Sequence, residues 1–132
     1  MKEYLNITPS QEAIIKHYLP THEKIEFLSN FYSAFADSTR LKIIISLCMT
    51  PMCVGDLSKI LDINPSTLSH QLQILKSLNI LKCERNKKII TYSLMNESIE
   101  RVIENGVDAG WLIKKLLNFK PIYIYNYNLL VL

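Results

Sequence analysis

A chain of 132 residues has room for one small domain and no second independent core. Its composition, 48% apolar and 20% charged with 3 Gly and 5 Pro, excludes a disordered or low-complexity protein. No apolar run nears the ~18 residues of a membrane span, and the opening MKEYLNITPSQEA holds no hydrophobic signal segment, so a cytoplasmic protein without membrane contact is expected. Three cysteines, Cys48, Cys53 and Cys83, form no C-x-x-C pair, which argues against a disulfide framework or a self-contained zinc finger. The net charge of +3 is unevenly placed. Residues 64–95 hold Lys76, Lys82, Arg85, Lys87 and Lys88 against Glu84 alone, whereas the flanks are close to balance. Such a patch suits an anionic partner, although a solvated face has the same charge pattern.

In chain order, Ile14, Ile15, Tyr18 and Leu19 predict a short N-terminal helix that stops near Pro20. Leu28, Phe31, Tyr32 and Phe35 follow the i, i+3, i+4, i+7 spacing and predict a helix over 24–36 with an aromatic-rich buried face. Asp37 or Ser38 can cap the next helix, Ser38 to Met49, which breaks before Pro51. Val54, Leu57, Ile60 and Leu61 predict a short third helix, and Asp62-Ile63-Asn64 is the length of break that a helix-turn-helix needs. Asn64 followed by Pro65 is a strong helix start.

In that fourth helix Leu68, Leu72 and Leu75 point one way, while Ser66, Ser69, His70, Gln73 and Ser77 fall on another face that carries no carboxylate. A helix entering a DNA major groove must avoid anions and offer neutral donors and acceptors. Residues 79–84 and 88–94 alternate at the strand period around Arg85-Asn86-Lys87 and predict a hairpin, with Asn86 as the turn residue that tolerates positive φ. From Asn96 the period is helical again, with Ile99, Val102, Ile103, Gly106, Val107 and Gly110 on one stripe.

This order predicts a mainly α fold with a small β-hairpin: a winged helix-turn-helix that dimerises through its N- and C-terminal helices. The expected divisions are an arm over 1–23, the winged domain over 24–117 and an apolar, Tyr-rich tail over 118–132. Gly106 and Gly110 weaken the last helix by about 1 kcal/mol each relative to Ala, a loss explained if another backbone comes close. Ile103, Gly106, Val107 and Gly110 are therefore the expected dimer seam. The same glycines could instead make room for Trp111.

The strings FADSTRL (35–41), MCVGDL (52–57), LSHQLQIL (68–75) and Tyr92-Ser93-Leu94 resemble those of the ArsR/SmtB repressors in order and spacing, over roughly residues 24–112. The resemblance implies a homodimeric bacterial repressor that sits on double-stranded operator DNA and leaves it when an inducer, usually a metal ion, binds. By the face argument and the resemblance together, Ser66, Thr67, Ser69, His70 and Gln71 or Gln73 are expected to meet DNA. Lys76, Lys82, Arg85, Lys87 and Lys88 are expected to neutralise phosphates. Arg40 reads as a structural ion-pair partner.

The resemblance also suggests where an inducer would bind. One family site uses a Cys-x-Cys pair at the start of the third helix, but Gly55 stands at the second position here. A related version pairs the Cys with the Asp three residues on and a ligand from the partner's N-terminal arm, which Cys53, Asp56 and either His17 or His22 could supply for zinc, cadmium or cobalt. A second family site, across the last helices, would fall on Asn96, Ser98, Ala109 and Leu112, none of them a good ligand. Cys53 as a packing residue, a thiol-responsive regulator without metal, and a winged-helix protein-interaction module are the competing readings. No nucleophile, base and orienting group come together in sequence, so no enzyme is expected.

Overall fold

Thr8 and Gln11 start the first helix by capping each other. The Thr8 N–H donates to Gln11 Oε1 at 2.8 Å and the Gln11 N–H to Thr8 Oγ1 at 3.3 Å, which satisfies two otherwise orphaned amides. In this computed structural model, which describes residues 6–109 and the side chains of 6–106, the elements are α1 (Pro9–Tyr18), α2 (His22–Ser33), α3 (Ser38–Met49), β1 (Met52–Cys53), α4 (Val54–Leu61), α5 (Pro65–Ser77), β2 (Leu81–Asn86), β3 (Ile89–Leu94) and α6 (Glu97–Ala109). The chain divides into two compact units, Met1–Asn30 and Phe31–Leu132.

The described part of the first unit buries nothing. Its helices leave Ile14, Tyr18, Leu19 and Phe27 between 57% and 77% exposed. Of the aromatic face expected over 24–36, only Phe31 and Phe35 rest against the core, while Leu28 and Tyr32 are about half exposed. The helix ends sooner than its periodicity predicts. Ala34, Phe35 and Ala36 donate to carbonyls only three residues back, so the last turn tightens. Ala34, rather than a larger residue, is fully buried there.

The core belongs to the second unit. It joins Ile43, Ile44 and Leu47 of α3, Leu57 of α4, Leu68, Leu72 and Leu75 of α5, Ile80 and Leu81, Tyr92 of β3, and Ile99 and Ile103 of α6. Asp37 rather than Ser38 caps α3, its Oδ1 accepting the Arg40 N–H at 2.9 Å. The α4–α5 turn closes through a left-handed Asp62 (φ 53°). It is locked by Ser58, whose hydroxyl donates to the Ile63 carbonyl at 2.7 Å and whose own carbonyl accepts the Ile63 N–H. Asn64 then caps α5, accepting the Ser66 N–H at 2.8 Å, with Pro65 in the first helical position.

The hairpin is part of a three-stranded antiparallel sheet in the order β1-β3-β2. The two-residue β1 is too short to show a period and is absent from the pattern reading. The register, Met52↔Tyr92↔Cys83 and Cys53↔Thr91↔Glu84, puts Met52, Tyr92 and Cys83 on the core side and Cys53 and Glu84 on the outer side, because neighbours across strands share a face. Pairing continues to Asn86↔Ile89, so the turn is Lys87-Lys88. Lys87, not Asn86, takes positive φ at 57°, at a cost of about 1–2 kcal/mol for a residue with a Cβ.

Helices α3 to α5, the β-hairpin and α6 together make a winged helix-turn-helix. Among the described residues no helix is long and apolar enough to cross a membrane. The expected tail over 118–132 lies outside the described residues.

The three α5 leucines have no exposed surface. Leu72→Ala is expected to lower unfolding stability by about 2–5 kcal/mol in urea titrations followed by circular dichroism. A loss below about 0.5 kcal/mol, typical of surface positions, would show that α5 is not seated as described.

Candidate nucleic-acid interface

The leucine stripe at 68, 72 and 75 fixes how α5 is rotated, and the opposite face is open. Ser66, Thr67, Ser69, His70, Gln73 and Lys76 are all exposed, and α5 has no acidic residue in its sequence PSTLSHQLQILKS. The structure separates the two glutamines. Gln73 is exposed, whereas Gln71 is half-buried with its Oε1 shielded and, among the described residues, without a hydrogen-bond partner. The exposed face offers hydroxyls, an imidazole and an amide, all able to donate and accept.

The five cations do not form one surface. Lys76 ends α5, and Lys87 and Lys88 make the wing tip. Alternation along β2 places Lys82 on the outer face with Glu84, and Arg85 on the opposite face beside Ile90. Arg85 is partly committed, its Nε donating to the Lys87 carbonyl at 3.1 Å. No periodicity in the sequence marks this bond, because it depends on the turn falling at Lys87-Lys88. Arg40 Nε sits 4.0 Å from Asp37 Oδ1 and, among the described residues, is buried without a hydrogen bond.

Cys53 and Asp56 meet at the start of α4. Asp56 Oδ2 accepts both the Cys53 N–H at 3.0 Å and the Cys53 thiol at 3.1 Å. These two bonds, with Lys59 adding less, hold the Asp56 carboxyl below its ordinary range. The carboxylate therefore already serves as a helix cap. Gly55 lies close by, where an added Cβ would stand 3.7 Å from Cys53 Sγ, an ordinary contact.

His17 and His22 are exposed residues of the first unit, His17 edge-on to Tyr18. Among the described residues, no three His, Cys, Asp or Glu side chains converge as a metal site would require. At the other family position, Asn96 acts as the cap of α6, its Oδ1 accepting the Ser98 N–H at 3.0 Å. Of the expected dimer residues, Ile103 is 7% exposed inside its own core. Gly106 is exposed, and among the described residues no atom beyond its own stretch of helix lies within 4 Å of where a Cβ would be. The Val107 side chain and Gly110 lie outside the described residues, as does Trp111.

A helix-turn-helix with an acid-free outer helix and a cationic wing defines a class of regulatory fold. Residues 37–82 match the family described as bacterial regulatory protein, arsR family. The transcriptional repressor SmtB homolog of Synechocystis is 30% identical over 86 residues, 65% of each chain, so the match spans slightly less than two thirds of that relative. The cadmium resistance transcriptional regulatory protein CadC of Listeria innocua is 33% identical over 82 residues, 61% of this chain and 69% of that one. The crystal structure of NolR from Sinorhizobium fredii is similar with a TM-score of 0.62 at 26% identity, covering 80% of this chain and 96% of that one. The chain belongs to the arsR family.

The three cysteines are all thiols but differ in burial, Cys48 being buried and Cys53 and Cys83 half-buried. Burial, then Glu100 and Glu104, push the Cys48 thiol up to about 12, which leaves almost no thiolate at neutral pH. Mass spectrometry after brief alkylation at pH 7 is expected to show Cys53 and Cys83 modified and Cys48 untouched until the chain is unfolded.

Proposed function

We propose that this protein is a homodimeric, sequence-specific DNA-binding repressor that releases its operator when a divalent ion such as zinc, cadmium or cobalt binds. The observation that carries this reading is the exposed, carboxylate-free polar face of α5 followed directly by a cationic wing tip. In the groove, Ser66, Thr67, Ser69, His70 and Gln73 would face base edges and nearby phosphates with groups that donate and accept. Lys76, Lys87 and Lys88 would neutralise backbone charge, the term that makes such binding salt-dependent. Lys82, on the other wing face, would reach a phosphate only from the flank, and Gln71 would act from within the fold.

A single winged domain makes few contacts, so paired half-sites and a protein dimer are part of the reading. The uncovered apolar residues of α1 and α2 support it. So does Gly106, where an added Cβ would meet no side chain among the described residues; Gly110 and Val107 would extend that seam, with Ile103 anchoring α6 from the core side.

For sensing, Cys53 and Asp56 fit two positions of a mixed sulfur and oxygen ligand set, with His17 or His22 of a second copy as the nitrogen ligand. A bound ion would contribute positive charge and a demand for thiolate. The chain's own response follows from the cap. Asp56 would no longer accept from the Cys53 thiol once that proton is lost and would keep only the Cys53 N–H, so the start of α4 would be held by one bond in place of two.

Binding to the duplex upstream of its own gene, followed by fluorescence anisotropy, is expected to weaken steeply with salt, and Lys87→Ala with Lys88→Ala to lower the log–log slope by about two. A flat salt response would overturn the DNA reading and favour an acidic protein partner for the same surface. Zinc or cadmium is expected to release the duplex from the unaltered chain and not from Cys53→Ser. Equal release from both would remove Cys53 from the sensing site.

A further inference from the structure

The wing tip keeps three cations within four residues, in a turn that is unfavourable for the residue at its centre. Because β2 and β3 pair as far as Asn86↔Ile89, only Lys87 and Lys88 connect them. Loops this short need left-handed backbone, which glycine or asparagine supplies at little cost. Lys87 adopts it with φ 57°, although its Cβ then crowds the following carbonyl. Arg85, Lys87 and Lys88 are also like charges within a Debye length of one another, so repulsion favours a splayed, irregular tip. Something must hold the turn against both effects.

The bond from Arg85 Nε to the Lys87 carbonyl at 3.1 Å does this. It fixes the carbonyl of the strained residue itself, and it brings one of the three charges onto the negative end of a peptide dipole. A guanidinium suits the task because its Nε–H direction is set by a planar group. The bond spans two residues on one strand end, so it acts on the turn and not on the core.

We propose that Arg85 is a positioning residue of the wing. By holding Lys87 in the left-handed turn it sets the direction in which the Lys87 and Lys88 ammonium groups project toward a polyanion, instead of serving as a third equivalent phosphate contact. The polyanion rests on the DNA reading above; the held turn is a property of the free chain.

The test uses the full chain with Arg85→Lys, which keeps the charge and loses the planar donor, and Arg85→Ala. In the free protein, amide exchange at Lys88 and Ile89 is expected to accelerate about fivefold in both variants, the scale of one lost hydrogen bond in a local opening, while the thermal midpoint is unchanged. On the upstream duplex, both variants are expected to lower the log–log salt slope by about one to two, although Arg85→Lys removes no charge.

A slope unchanged in Arg85→Lys and lowered by about one in Arg85→Ala, with amide exchange as in the unaltered chain, would overturn the proposal and make Arg85 an ordinary phosphate contact. Duplex binding without salt dependence in the unaltered chain would overturn the DNA reading alone, and amide exchange would still decide whether Arg85 holds the turn.

Discussion

The seating of α5 by Leu68, Leu72 and Leu75 is the constraint from which the rest of this protein's surface follows. Each side chain is fully enclosed, and burial of a leucine contributes roughly 1.5–3 kcal/mol, so rotating the helix by one residue would forfeit more than any polar contact on the other side could return. A helix fixed in this way has no freedom over what it exposes. The hydroxyls, imidazole and amide between 66 and 73 are outside because the leucines are inside, and the absence of acid among them then becomes a statement about what they can face.

A second level of order lies in the short polar bonds that aim this helix. Ser58, left-handed Asp62 and Asn64 each act on the turn before α5, and Asp56 acts one step earlier by capping α4 through Cys53. None is buried deeply, and each is worth on the order of 1 kcal/mol. Their effect is directional: the core decides that α4 and α5 pack, and the caps decide at what angle they meet.

Helical spacing in the sequence predicts α3, α4, α5 and their leucine and isoleucine faces, since apolar residues three and four apart have no other economical arrangement in a chain of this length. The exposed polar face of α5 is legible for the same reason, being the complement of the leucine stripe. What was not legible depended on pairing between distant residues. β1 is two residues long and exists only because β3 lies beside it, so no period within Met52-Cys53 could announce it. The position of the wing turn required the register, and preference for Asn86 lost to a pairing that extends to Ile89. The aromatic face over 24–36 was read as one stripe, but the tightening after Ser33 splits it, leaving Phe31 and Phe35 on the core and Leu28 and Tyr32 outside.

The distribution of charge shows why a count of cations overstates an interface. Five Lys and Arg fall between 64 and 95, yet strand alternation sends Lys82 and Arg85 to opposite faces, and Glu84 accompanies Lys82. Exposed charges more than a Debye length apart act almost independently at physiological salt, so Lys76 near the end of α5 and the paired lysines at the wing tip act as separate sources of positive field. A flexible hairpin would spread those lysines over many directions and dilute their field. A two-residue turn held by a hydrogen bond keeps them together, and that is the physical reason to accept a strained lysine where a glycine would fold more easily.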